Sequence, residues 1–296
     1  MTTVHHPLSS LGPLHPAQAP AITPAAPIAE RIRITVHDPH DHEAPAILHR
    51  PRSYNAREVR GAAVILISGA GGGVSGPSGI YPSLADKLTL HLSIPVMRLD
   101  YREPARTRYC TADVLAAMDY LTQQYQSTRF VLVGWSFGGS PCFTVAAREP
   151  ERVVGVATVA SQTAMTSGIS KLSPRPLLLL HGTGDTVLSV RCSVALYGQY
   201  GSEGGSRELK TFPGDDHGLS QNAEEAERWI LMFAGRALGF QERLRGVGGG
   251  DGGLGKSWAG GWEERLHSMQ EGRDLENGEA MSIFYMVNHI ASPTIR

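Results

Sequence analysis

Three short stretches carry side chains that could do chemistry together. A serine sits in Gly134-Trp135-Ser136-Phe137-Gly138-Gly139, an aspartate in His181-Gly182-Thr183-Gly184-Asp185, and a histidine in Gly214-Asp215-Asp216-His217-Gly218. A free hydroxyl is a poor nucleophile and needs a base within hydrogen-bond reach. Histidine can take that proton and return it to a leaving group, and a carboxylate can fix the imidazole tautomer. The chemistry this set could perform is acyl transfer through a covalent intermediate. Rivals stand beside each partner: His181 near Asp185, Asp215 and Asp216 flanking His217, and Asp100 at the end of an earlier apolar run.

The serine stretch has the form G-x-S-x-G, in which the serine occupies a sharp strand-to-helix turn with its hydroxyl exposed. Phe130–Val133 before it is apolar and partly β-branched, as a strand buried on both faces should be. Thr144–Glu149 can continue a helix after it, Pro141 falls in that helix's first turn, and Pro150 ends it. A second glycine-rich turn, Ser68-Gly69-Ala70-Gly71-Gly72-Gly73, follows the apolar run Ala62–Ile67. It lacks the Gly-Lys-Ser/Thr ending of a phosphate loop, and no helix start follows as a dinucleotide fingerprint requires. The better use is an oxyanion hole, with donors at the N–H of Ala70 or Gly71 and of Phe137. So many glycines predict a flexible loop, ordered only by substrate.

The elements that must hold these residues alternate. Strands are expected at Arg31–Val36, Ala44–Arg50, Ala62–Ile67, Ile94–Leu99, Phe130–Val133, Val153–Ala160, Pro176–Leu180 and Glu208–Phe212. Helices are expected at Tyr81–His91, Cys110–Tyr125, after Ser136, at Val190–Tyr200 and at Ala223–Leu238. Such alternation predicts an α/β protein: a mostly parallel, doubly wound sheet of about eight strands with helices on both faces. Ligands bind at the carboxyl ends of such strands, and Ser136, Asp185 and His217 each follow a strand directly.

Composition bounds the rest. Residues 1–29 are rich in Pro and Ala with no basic start, and read as a disordered segment rather than a signal. Residues 30–240 form the expected domain. Residues 241–296 combine a Gly-rich linker with a tail whose apolar run, Met281–Val287, is too short to span a bilayer. The formal net charge of −1 gives no field for nucleic acid. Three widely spaced cysteines, Cys110, Cys142 and Cys192, make neither a disulfide framework nor a zinc pattern. Cys142 and Cys192 are expected in the core. A cytoplasmic location, no metal and no cofactor are expected. His37-Asp38-Pro39-His40-Asp41-His42-Glu43 reads as a solvated hairpin loop despite its metal-capable side chains.

The order Ser136, Asp185, His217, with a glycine loop after an earlier strand, resembles the α/β-hydrolase superfamily, over residues 30–240. The short stretch Ser161–Arg175 is similar to that of dienelactone-hydrolase-like and small-esterase members, which lack a large cap. The resemblance implies a Ser136 nucleophile, a His217 base and Asp185 as the acid in preference to Asp100, Asp215 or Asp216. It implies hydrolysis of a carboxylic ester or lactone in a small acyl substrate, by an open, shallow site. Peptidase, thioesterase or acyltransferase chemistry would use the same residues, and a non-catalytic binding protein on this fold is the alternative from another class. Relatives often have His-Gly where this chain has Ser68-Gly69, which leaves the bracing of the glycine loop open.

Overall fold

A computed structural model describes residues 27–245 apart from Pro39, Ser202 and Glu203. The segments 1–26 and 246–296, with the expected N-terminal disorder, linker and Met281–Val287 run, lie outside the described residues. Eight strands form one sheet: β1 (Ile28–Val36), β2 (His42–Arg50), β3 (Ala62–Ile67), β4 (Val96–Leu99), β5 (Arg129–Trp135), β6 (Val153–Val159), β7 (Leu177–Gly182) and β8 (Arg207–Phe212). Their order is β1-β2-β4-β3-β5-β6-β7-β8. β1 and β2 form an antiparallel hairpin, β2 meets β4 antiparallel, and every pairing from β4 to β8 is parallel.

The central strands are apolar on both faces because helices cover both. Ala63, Ile65 and Ile67 point into one core, together with Phe130, Leu132, Leu177 and Leu179. Their neighbours Ala62, Val64 and Leu66 point into the other, with Val131, Val133, Leu178 and Leu180. This is the two-residue period of a strand with no polar face. Helices α2 (Thr107–Tyr125), α3 (Gly139–Arg148) and α4 (Arg191–Gln199) supply buried side chains to the first core. Helices α1 (Ile80–Leu92) and α5 (Ala223–Ala237) line the second. Each fully buried Leu, Ile or Phe contributes about 1.5–3 kcal/mol, so these two layers dominate the fold's stability.

Several expectations shift. His42 and Glu43 belong to β2 rather than to a loop, because Val36 pairs with His42 and closes the hairpin at residues 37–41. The domain runs past 240: a short 3-10 turn, Gln241–Leu244, seats Leu244 on α5 where Gly235 leaves room. Cys110 is buried with Cys142, whereas Cys192 is half-exposed on α4 and is not a core residue. The stretch between β6 and β7 carries a 3-10 turn, Ser167–Lys171, that buries Ile169. Gly168 lies so close to α3 that a Cβ there would fall 2.2 Å from the Phe143 carbonyl oxygen. Among the described residues, no helix is long and apolar enough to cross a membrane.

Candidate active site

Ser136 leaves the end of β5 with φ +54°, a left-handed backbone that a non-glycine residue adopts at a cost of about 1–3 kcal/mol. One turn of 3-10 helix, Ser136–Gly138, then leads into α3. The turn closes against the end of β3: a Cβ on Gly138 would lie 2.5 Å from the Ser68 carbonyl oxygen and 2.8 Å from that of Ile67. From the far side, Gln162 N–H donates to the Ser136 carbonyl at 3.3 Å. The strain at Ser136 is thus held by neighbours on both sides.

Asp185 and His217 come together. The carboxylate oxygen Oδ2 of Asp185 accepts from His217 Nδ1 at 2.7 Å. The acid is fully buried, and the His217 side chain is 12% exposed. Because Nδ1 faces a carboxylate, it carries the proton, which leaves Nε2 as a bare acceptor. Nε2 is buried and has no hydrogen-bond partner among the described residues. A buried polar atom left empty marks a place where a proton or ligand belongs. Burial pushes the Asp185 carboxyl up, but hydrogen bonds from His181, His217 and the Leu188 main chain outweigh it and hold it well below the usual carboxylate range.

The loops after β7 and β8 are joined backbone to backbone. Thr183 N–H donates to the Phe212 carbonyl and Gly184 N–H to the Asp215 carbonyl, each at 2.9 Å. Gly214 N–H donates to Thr183 Oγ1 at 2.8 Å. Gly182 makes this approach possible, since a Cβ there would stand 2.3 Å from the Asp215 carbonyl oxygen. Trp135, next to the serine, donates its indole N–H to the His217 carbonyl at 3.1 Å, and the two rings lie 5.7 Å apart. Ser78, ahead of α1, donates to the Gly218 carbonyl at 2.8 Å.

The rival carboxylates are engaged elsewhere. Asp215 is buried and accepts from Asp216 N–H, Gln221 N–H, Asn222 N–H and the Asn222 amide. Asp216 accepts from Gly218 N–H and from Ser220 through both N–H and hydroxyl. Asp100 accepts from Gly73 N–H at 2.8 Å and Tyr101 N–H at 2.7 Å. Asp100 is therefore a brace of the glycine loop.

That loop is pinned rather than loose, which corrects the expectation of flexibility. Gly72 N–H closes a turn onto the Gly69 carbonyl at 3.1 Å, setting Ala70 and Gly71 at its corner. The Ser68 hydroxyl donates to the Gly73 carbonyl. Tyr101 donates to the Ser68 carbonyl at 3.0 Å. Ser68 supplies bracing itself. Phe137 is buried with its ring edge-on to Tyr101 at 5.8 Å. Sequence reasoning missed the bracing roles of Asp100 and Ser68. The signal was only a carboxylate one residue past a strand, and that position also suits a catalytic acid.

Comparison with known proteins agrees with the architecture. The family described as "alpha/beta hydrolase fold" matches residues 62–191. No curated protein sequence gives a match. Est1E from Butyrivibrio proteoclasticus, solved with ferulic acid bound, is 16% identical with a TM-score of 0.58, over 70% of this chain and 99% of that one. A dienelactone hydrolase from Anabaena variabilis is 18% identical with a TM-score of 0.56, over 70% and 98%. An esterase from Pyrobaculum calidifontis is 16% identical with a TM-score of 0.55, over 71% and 86%. The sheet order and the likeness to these solved structures show that this chain has the α/β-hydrolase fold.

Proposed function

We propose that the chain is a serine hydrolase that cleaves carboxylic esters or lactones of small substrates through an acyl-enzyme. The observation that carries this reading is the His217–Asp185 pair at 2.7 Å, with Nε2 buried and unpartnered and a strained Ser136 on the strand end tethered to it through Trp135. In the proposed cycle Ser136 gives its proton to His217 Nε2 as Oγ attacks the acyl carbon. The oxyanion is held by the N–H of Phe137 and of Ala70 or Gly71, each donor worth about 3–4 kcal/mol in comparable sites. The C–O bond to the leaving group breaks as His217 returns the proton to it. A water, deprotonated by His217, then releases the acid and regenerates Ser136.

Compact substrates fit the packing of the β6–β7 connection onto α3, which adds no cap over this edge of the sheet. Met165 and Val187, 68% and 52% exposed, lie on the loops after β6 and β7 and offer apolar surface for an acyl or alcohol group. The names of the structural neighbours, an esterase and a dienelactone hydrolase among them, support the same class.

The test is labelling by a fluorophosphonate, which needs an activated serine and little else. Wild type should label, and Ser136→Ala and His217→Ala should not. A folded wild type that fails to label would sink the hydrolase reading in favour of a non-catalytic binding protein. Initial rates on ester, lactone, thioester and amide panels then rank the leaving group.

A further inference from the structure

His181 is the penultimate residue of β7, fully buried, and faces Asp185. Its Nε2 lies 2.9 Å from the Leu188 carbonyl oxygen and 3.2 Å from Asp185 Oδ2. Both neighbours are acceptors, so Nε2 carries a proton. Its Nδ1 lies 2.7 Å from the buried Ser193 hydroxyl of α4. Asp185 Oδ2 is therefore shared by two imidazoles, His217 at 2.7 Å and His181 at 3.2 Å. The other oxygen, Oδ1, accepts from the main-chain N–H groups of Val187 and Leu188, each at 2.8 Å.

We propose that His181 is a positioning residue for the acid: with the two main-chain donors it clamps Asp185, fixes the His217 ring, and draws charge away from the oxygen that His217 uses. This rests on the hydrolase reading only for its catalytic consequence; the clamp itself is a matter of geometry. A carboxylate shared among more donors stabilises an imidazolium less. His181 thus takes a share of the Asp185 charge that would otherwise face His217 alone. The ionisable groups around this cluster are Asp185 and His217 themselves, Cys192 on α4, and Asp216 beside His217.

Two substitutions separate clamping from mere support. His181→Gln can place an amide N–H near the position of Nε2 and keep the donor. His181→Asn reaches only toward Ser193 and removes the donor from Asp185. The readout is the titration of His217, followed by imidazole nitrogen NMR on the full chain, which needs no turnover. In His181→Asn the midpoint should rise by about half a pH unit or more, and in His181→Gln it should stay near wild type. The acid limb of kcat/KM should move with it, while KM stays near its wild-type value. Ser193→Ala frees Nδ1 without removing the ring, and should shift the midpoint in the same direction by less. It serves if His181→Asn fails to fold. An unmoved or lowered midpoint in the folded variants overturns the proposal. Labelling by fluorophosphonate in parallel keeps the two ideas apart. A labelled wild type with no shift sinks the clamp alone, whereas a shift in an unlabelled protein sinks the hydrolase reading alone.

Discussion

Trp135 holds the main chain of His217: its indole N–H donates to the His217 carbonyl oxygen at 3.1 Å, linking two residues 82 positions apart. The residue beside Ser136 thus holds the main chain of His217, independently of any bond between Ser136 and His217. Trp135→Phe keeps an aromatic ring and deletes this donor. In the proposed hydrolase, kcat should fall about 10- to 100-fold, since a misplacement near 1 Å costs that order. Steady-state kinetics on the best ester of the panel checks this; an unchanged kcat would mean the tether is idle.

Asp185→Asn should lower kcat by about 10⁴-fold, the scale for an acid whose loss leaves the wrong imidazole tautomer. Asp215→Asn should act mainly on stability, because its carboxylate anchors the turn before α5 through bonds to Asn222 and Gln221. A loss of about 1–3 kcal/mol in denaturant unfolding is expected for that variant. If Asp215→Asn instead abolished turnover in a folded protein, the acid would have been misassigned.

The pH dependence of stability follows from the lowered Asp185 value. A carboxylate whose folded-state value lies below its unfolded one stabilises the fold above the unfolded value, and that contribution is lost as pH falls through the folded one. The stability gap between wild type and Asp185→Asn should therefore not shrink from about pH 8 to about pH 5, and should close only below about pH 4. Urea melts at a series of pH values measure the gap. A gap that narrows between neutrality and pH 5 contradicts the expectation.

Two glycine substitutions should move stability in opposite directions. Gly138→Ala forces a Cβ to 2.5 Å from the Ser68 carbonyl, against backbone that cannot step aside. It should cost about 1–3 kcal/mol or more, and disturb the Ser136 turn with it. Gly198→Ala lies on α4 with open space around it, and should add about 0.5–1 kcal/mol by helix propensity. Thermal melts of both, with the same probe, give the comparison.

The sheet was legible because its strands obey one rule: runs such as Ala62–Ile67 and Leu177–Leu180 are apolar at every position, and only a strand covered on both faces needs that. The strand-to-helix turn at Ser136 was legible because its flanking glycines meet backbone and leave no room for alternatives. The carboxylate that meets His217 was less so. Asp100 and Asp185 both come shortly after strands, and their difference lies in what each meets in space: the glycine loop for Asp100, His217 for Asp185. The contact of His181 with Asp185 was not legible, because residue type and spacing do not reveal that position 181 turns back onto the carboxylate. The end of the domain was missed by a single turn, since Leu244 stands amid charged residues and its burial depends on the space left by Gly235.

The joining of the β7 and β8 loops has a mechanical consequence. His217 and Asp185 follow neighbouring strands whose loops share main-chain bonds, while Ser136 follows β5, with β6 between. A change in sheet twist would slide Ser136 relative to His217 yet carry His217 and Asp185 together. The edge is in effect two jaws, Asp185 with His217 on one and Ser136 on the other, and the Trp135–His217 bond is the pin between them.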